Sequence, residues 1–190
     1  MTKNDTIVVC FAGVGRERGK PPGEEFQSIK RWTHVDSLHF IDHQRSFFNN
    51  VNVDGLIDKV KDYKKIIALG NSLGAFNANC FAQVTRVDAV ISFAAVYSVS
   101  ARVIPWVKEK WPQFVYYGTD WQFTELQFND TTQYHFFQGD EYYEMKHLNL
   151  IPDAPNIFKT VIPDTGHDVA KKLLKQRKLY PLVEEIINGI

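Results

Sequence analysis

Short apolar runs alternate with helix-length amphipathic segments along this chain, a pattern that predicts a parallel sheet covered by helices on both faces. Thr6–Ala12 is continuously apolar and rich in β-branched residues, as a strand buried on both faces should be, and Gly13 and Gly15 end it. Residues 16–31 are charged and hold Pro21, Pro22 and Gly23, which marks part of them as loop. His34–Ile41 reads as a second strand, followed by a polar turn over Asp42–Arg45. In Asp54–Tyr63, Leu56, Ile57 and Val60 fall at helical spacing, with Asp54 placed to cap or to supply a first-turn acid. Lys65–Leu69 is a third strand and runs directly into Gly70-Asn71-Ser72-Leu73-Gly74. Ala75–Val84 follows as a helix with Phe76, Cys80 and Val84 on one face, and Ala89–Val96 is a fourth strand.

Residues 98–133 are irregular, with a helix expected near Val103–Lys110. Tyr134–Phe137 is a short fifth strand ending in Gly139-Asp140, and Ile157–Ile162 a sixth ending in Pro163-Asp164-Thr165-Gly166-His167. The tail, Asp168–Ile190, is helical with a break before Pro181, which suits the first turn of a second helix. The expected fold is therefore α/β, one domain over residues 1–190, with a mostly parallel sheet of about six strands.

Composition narrows the function classes. Lysine plus arginine equals aspartate plus glutamate, 22 each, so the formal net charge is zero and no basic surplus favours nucleic acid. No stretch approaches the roughly 18 apolar residues of a membrane span. The opening MTKNDTIVVCFAGVG reads as a first strand rather than a signal peptide. Cys10 and Cys80 lie in apolar segments without metal-ligand spacing, which points to buried thiols and a cytoplasmic setting. The sequence calls for no metal and no organic cofactor, and it sets no oligomeric state.

The strongest chemical signal is Gly70-x-Ser72-x-Gly74 between a strand and a helix, the context of a nucleophile elbow. Such a turn leaves no room for side chains two residues before and after the serine, and glycines remove the clash. It also places the serine at a helix N-terminus, where free N–H groups favour developing negative charge. A serine hydroxyl needs a base to take its proton. Of the six histidines, His167 alone follows a strand, a proline and a glycine near the C-terminus and ahead of a helix. The third group, a carboxylate that fixes the imidazole tautomer, is expected at Asp140, at the end of the penultimate strand. Its rivals are Asp120, Asp164, Asp168 and Glu141. The oxyanion of a tetrahedral intermediate needs two donors. The N–H of Leu73 is one, and Val14 or Gly13 in the loop after the first strand supplies the other.

The aromatic share is high, 14%. Trp106, Trp111, Tyr117 and Trp121 fall in the 98–133 connection and are candidates to stack on a sugar ring or line an acyl pocket. Burial against the sheet is the competing reading for each. Arg16, Arg18 and Lys20, and the lysine-rich face at Lys171, Lys172 and Lys175, read as solvated.

Taken together these residues resemble the α/β-hydrolase superfamily over nearly the whole chain from Thr6. The resemblance implies a triad at Ser72, Asp140 and His167, in the chain order of that fold. It also implies a pared-down version, with Thr6–Ala12 matching the family's third strand and 98–133 standing where a substrate cap is inserted. The family often has His-Gly at the oxyanion loop, where this chain has Ala12-Gly13, so the second donor is left open. Phe40-Ile41-Asp42-His43-Gln44-Arg45-Ser46-Phe47-Phe48-Asn49-Asn50, GNSLGAF and ISFAAVYSV, with Trp111 downstream, are similar to a bacterial branch associated with surface polysaccharides. That branch includes the glycan O-acetyltransferase component of accessory secretion systems. The implied activity is a serine esterase or deacylase acting on an acylated small molecule or sugar. The alternatives are an O-acyltransferase with the same triad, and a non-catalytic hydrolase-like partner subunit.

Overall fold

The computed structural model of the protein describes residues 4–15, 22–106 and 121–190. Among them six strands form one sheet: β1 (Thr6–Phe11), β2 (Asp36–Phe40), β3 (Lys65–Asn71), β4 (Ala89–Phe93), β5 (Gln133–Gly139) and β6 (Ile157–Ile162). Their spatial order is β2-β1-β3-β4-β5-β6, and every pairing is parallel. The continuous apolar runs of β1, β3 and β4 lie in the interior of the sheet, buried on both faces, whereas β6 is an edge strand with Phe158, Thr160 and Val161 exposed. Burial on two faces leaves no polar side for alternation to mark.

Among the described residues five α-helices cover the sheet: α1 (Val53–Val60), α2 (Leu73–Val84), α3 (Tyr142–Leu150), α4 (Val169–Lys175) and α5 (Leu179–Gly189). Alternate residues of the strands feed two cores. Ile7, Val9, Phe11, Ile66 and Ala68 pack with Leu56 and Val60 of α1, Phe76 and Phe81 of α2, and Leu148 of α3. Val8, Cys10, Ile67, Leu69 and Phe93 pack on the opposite face with Val169 and Leu173 of α4, and Leu179, Val183 and Ile187 of α5. No helix among the described residues is long and apolar enough to cross a membrane.

The structure adds detail at three places. The cap of α1 is Asn52, whose side chain accepts the N–H of Gly55 at 2.9 Å, and Asp54 takes the second of its two expected roles, an acid inside the first turn. Replacing Asn52 with Ala is expected to lower stability by about 1 kcal/mol in urea unfolding, because it strands one helix donor. The helix expected near Val103–Lys110 is turn over 103–106, and residues 107–110 lie outside the described part. Residues 142–150, to which the sequence pattern assigns no element, are the helix α3. Its inner face mixes Glu144 and His147, both fully buried, with the buried Leu148, so no continuous apolar stripe announces it.

The order of the strands sets where chemistry can occur. The chain runs from β1 outward to β2 and then returns to β3 on the other side of β1, so a crevice opens at the carboxyl ends of β1 and β3.

Candidate active site

Ser72 stands at the carboxyl end of β3 as the residue before α2, with φ 56° and ψ −119°. A positive φ is rare for a residue with a Cβ, and this one is held by its surroundings: the Ser72 N–H donates to the Phe93 carbonyl of β4 at 2.9 Å. A Cβ on Gly70 would lie 2.1 Å from the Gly74 carbonyl oxygen, and one on Gly74 would lie 2.1 Å from that of Phe11. The two glycines are thus demanded by backbone approaching backbone, as the spacing predicts.

His167 lies in the connection between β6 and α4. Its Nε2 is 2.7 Å from Ser72 Oγ, across 95 residues of sequence, and its Nδ1 is 3.1 Å from Glu144 Oε1. The His167 side chain is 31% exposed and that of Glu144 0%. The hydroxyl is therefore reached by an imidazole whose far side rests on a buried carboxylate.

Asp140 is not that carboxylate. It is exposed, and its two oxygens accept the backbone N–H groups of Asp164 at 2.8 Å and Thr165 at 3.0 Å. Those hydrogen bonds, that of Asp164 first, hold its carboxyl below the usual carboxylate range. Asp140 thus ties down the turn that presents His167, while α3, which starts two residues later, carries Glu144 beneath the imidazole. Of the rivals, Glu141 lays its carboxylate over Gly166, where a Cβ would meet it at 2.2 Å. Asp164 and Asp168 are exposed, and Asp168 pairs with Lys171 at 3.0 Å. Asp120 lies outside the described residues. Glu144 carried one usable sequence signal, its place in the first turn after the penultimate strand, but a helix had to be recognised there first.

Leu73 is the first residue of α2, so its N–H has no partner within the helix. Gly13 and Val14 line a cavity of about 760 Å³ together with Asn71, Ser72 and His167. Arg45 Nε donates to the Val14 carbonyl at 3.0 Å, which fixes this loop against the turn after β2. The other walls are the Gly23–Gln27 segment, with Glu24 and Glu25, and the Ala170, Lys171, Leu174 and Tyr180 side of α4 and α5. Of the aromatic candidates, the two among the described residues, Trp106 and Trp121, do not line this cavity. Trp106 packs on Tyr143 and His147 of α3, with ring centroids 5.7 and 4.7 Å away, and Trp121 packs 6.2 Å from Phe47. Both are half-buried, one against the helix α3 and the other against Phe47 in the loop after β2. Trp111 and Tyr117 lie outside the described residues. Lys171, on a face that reads as solvated, and Tyr180, which no sequence reading singled out, are at the cavity.

A scan of family models finds no match, and a search of curated proteins finds none either. Solved structures are informative. The capsule O-acetyltransferase of Neisseria meningitidis serogroup A superimposes with a TM-score of 0.67 at 14% identity, over 98% of this chain and 89% of that one. Est1E from Butyrivibrio proteoclasticus gives 0.58 at 14% identity over 97% and 89%, and an α/β serine hydrolase without lid from Xanthomonas campestris 0.52 at 14% over 93% and 79%. The protein has the α/β-hydrolase fold. In that fold β3 is the strand that leads into the turn at Ser72, and the crevice opens beside β1.

Proposed function

We propose that the protein is a serine acyl hydrolase in which Ser72 is the nucleophile, His167 the general base and Glu144 the acid of the triad. One observation carries this reading: a single imidazole spans a strained elbow serine at 2.7 Å and a fully buried carboxylate at 3.1 Å. The carboxylate holds the His167 proton on Nδ1, leaving the Nε2 lone pair facing the hydroxyl. Ser72 Oγ attacks an ester carbonyl as His167 takes its proton. The oxyanion is met by the Leu73 N–H and a second donor from the Gly13–Val14 loop, each such donor lowering the barrier by about 3 kcal/mol. His167 then protonates the leaving alcohol, and water hydrolyses the acyl-enzyme by the reverse proton path. No step requires a metal or organic cofactor. Cys10 and Cys80 as free, buried thiols fit a reducing cytoplasm.

A second reading has a specific observation in its favour. Likeness to the capsule O-acetyltransferase over nearly the full chain supports a sugar hydroxyl, rather than water, as the group that takes the acyl from Ser72. A hydrolase-like subunit without activity is opposed by the intact geometry, since drift has no reason to keep a strained serine under an imidazole.

The test is covalent labelling with a fluorophosphonate probe. Wild type is expected to be labelled, with the adduct mapped to Ser72, and Ser72→Ala to be inert. A folded wild type that stays unlabelled overturns the enzyme reading. Product analysis with an acetyl ester, with and without a glycan acceptor, then separates hydrolysis from transfer.

A further inference from the structure

Glu144 has a second partner behind it. Gln138, near the end of β5, is 1% exposed and fully engaged. Its Oε1 accepts the Ala95 N–H at 2.9 Å, and its Nε2 donates to Glu144 Oε2 at 2.7 Å and reaches the Ala95 carbonyl at 3.2 Å. The Ala95 N–H fixes which end of the amide is which, because only an oxygen can accept it. The amide nitrogen must therefore face the carboxylate.

We infer that Gln138 is a positioning residue for the proposed triad, a role that rests on the reading of Ser72, His167 and Glu144 given above. Two donors converge on Glu144, the His167 Nδ1–H on Oε1 and the Gln138 amide on Oε2. Burial penalises charge and pushes a carboxylate toward its neutral form. A second, charge-assisted hydrogen bond opposes that drift and locks the carboxyl plane against the imidazole. If Glu144 took a proton, it would donate to Nδ1 and leave the proton of His167 on Nε2, facing Ser72, where no base remains. Gln138 thus keeps the base in its working tautomer without touching substrate.

The experiment follows the second-order rate of fluorophosphonate labelling against pH for wild type, Gln138→Leu and Gln138→Glu, with thermal melting as the check on folding. Gln138→Leu removes the donor. Labelling is expected to fall about ten- to a hundredfold, and the acid limb of its profile to move to higher pH, because the Glu144–His167 pair then takes its second proton more readily. Gln138→Glu supplies an O–H donor only while protonated, so it should track wild type on the acid side and lose activity as pH rises. Profiles of Gln138→Leu and wild type that coincide overturn the inference. So does an equal drop at every pH in both variants, which is what a packing role alone would give. If Gln138→Leu does not fold, the pH dependence of Gln138→Glu decides in the same two directions. Wild type labelled with both variants unaffected removes this inference alone, whereas wild type unlabelled removes it together with the triad.

Discussion

Glu144→Gln is expected to lower kcat/KM for an activated acetyl ester by about 10³–10⁴-fold, and Asp140→Asn to leave it within a fewfold of wild type. The asymmetry follows from what each carboxylate receives. Glu144 accepts from two donors, His167 Nδ1 and Gln138 Nε2, whereas a glutamine there has one accepting oxygen and one donating nitrogen. Whichever way that amide turns, it either faces a donor with a donor or reverses the imidazole tautomer. Ser72 then meets an N–H instead of a lone pair.

Asp140 accepts two backbone N–H groups in an exposed turn, and its loss should appear in folding rather than in the acyl-transfer step. The sign with pH is set by its depressed carboxyl. The folded state holds the charged form better than the unfolded chain does. The stabilisation is thus present above the ordinary carboxylate range and fades as pH falls through the folded value. Steady-state kinetics beside urea unfolding at neutral and acid pH check both halves. A large loss of kcat/KM in Asp140→Asn with Glu144→Gln near wild type would reverse the assignment.

The same pair of residues shows where the sequence is legible. Ser72 and His167 could be read because backbone sterics place them: glycines flank the serine wherever an elbow is that tight, and the histidine follows the last strand. β1, β3 and β4 could be read because burial on both faces writes itself as an unbroken apolar run. The acid of the proposed triad was legible only as a role. Its position depends on how far α3 advances after β5, and α3 hides its inner face by burying Glu144 and His147. A pattern that equates buried with apolar must miss such a helix. The aromatics fail in the converse way: Trp106 and Trp121 are as large and apolar as any sugar platform, and only coordinates show them spent on α3 and Phe47. The cavity wall came instead from Gly23–Gln27 and from Lys171 and Tyr180, contributed by segments far apart in sequence.

Gly70→Ala is expected to cost about 3 kcal/mol or more and to abolish labelling of Ser72 in whatever fraction folds. The added methyl would stand 2.1 Å from the Gly74 oxygen, 2.2 Å from its carbonyl carbon and 2.5 Å from the Ala75 nitrogen. All three are backbone atoms in the first turn of α2, so no side chain can rotate away and the helix itself must retreat from β3. That helix is held in turn by Gly74, whose own missing Cβ lets it lie against the Phe11 carbonyl of β1. Relief at residue 70 therefore separates α2 from β3 and disturbs its seat on β1, and the Leu73 N–H and Ser72 Oγ move with it. For a chain of this size the loss corresponds to a fall of about 6–12 °C in Tm. Gly189→Ala is the control, since a Cβ there meets nothing within 4 Å, and it should leave both Tm and labelling unchanged. A Gly70→Ala protein that melts with wild type and labels at the wild-type rate would show an elbow with room to spare. The strain at Ser72, φ 56°, would then have no steric cause in its neighbours.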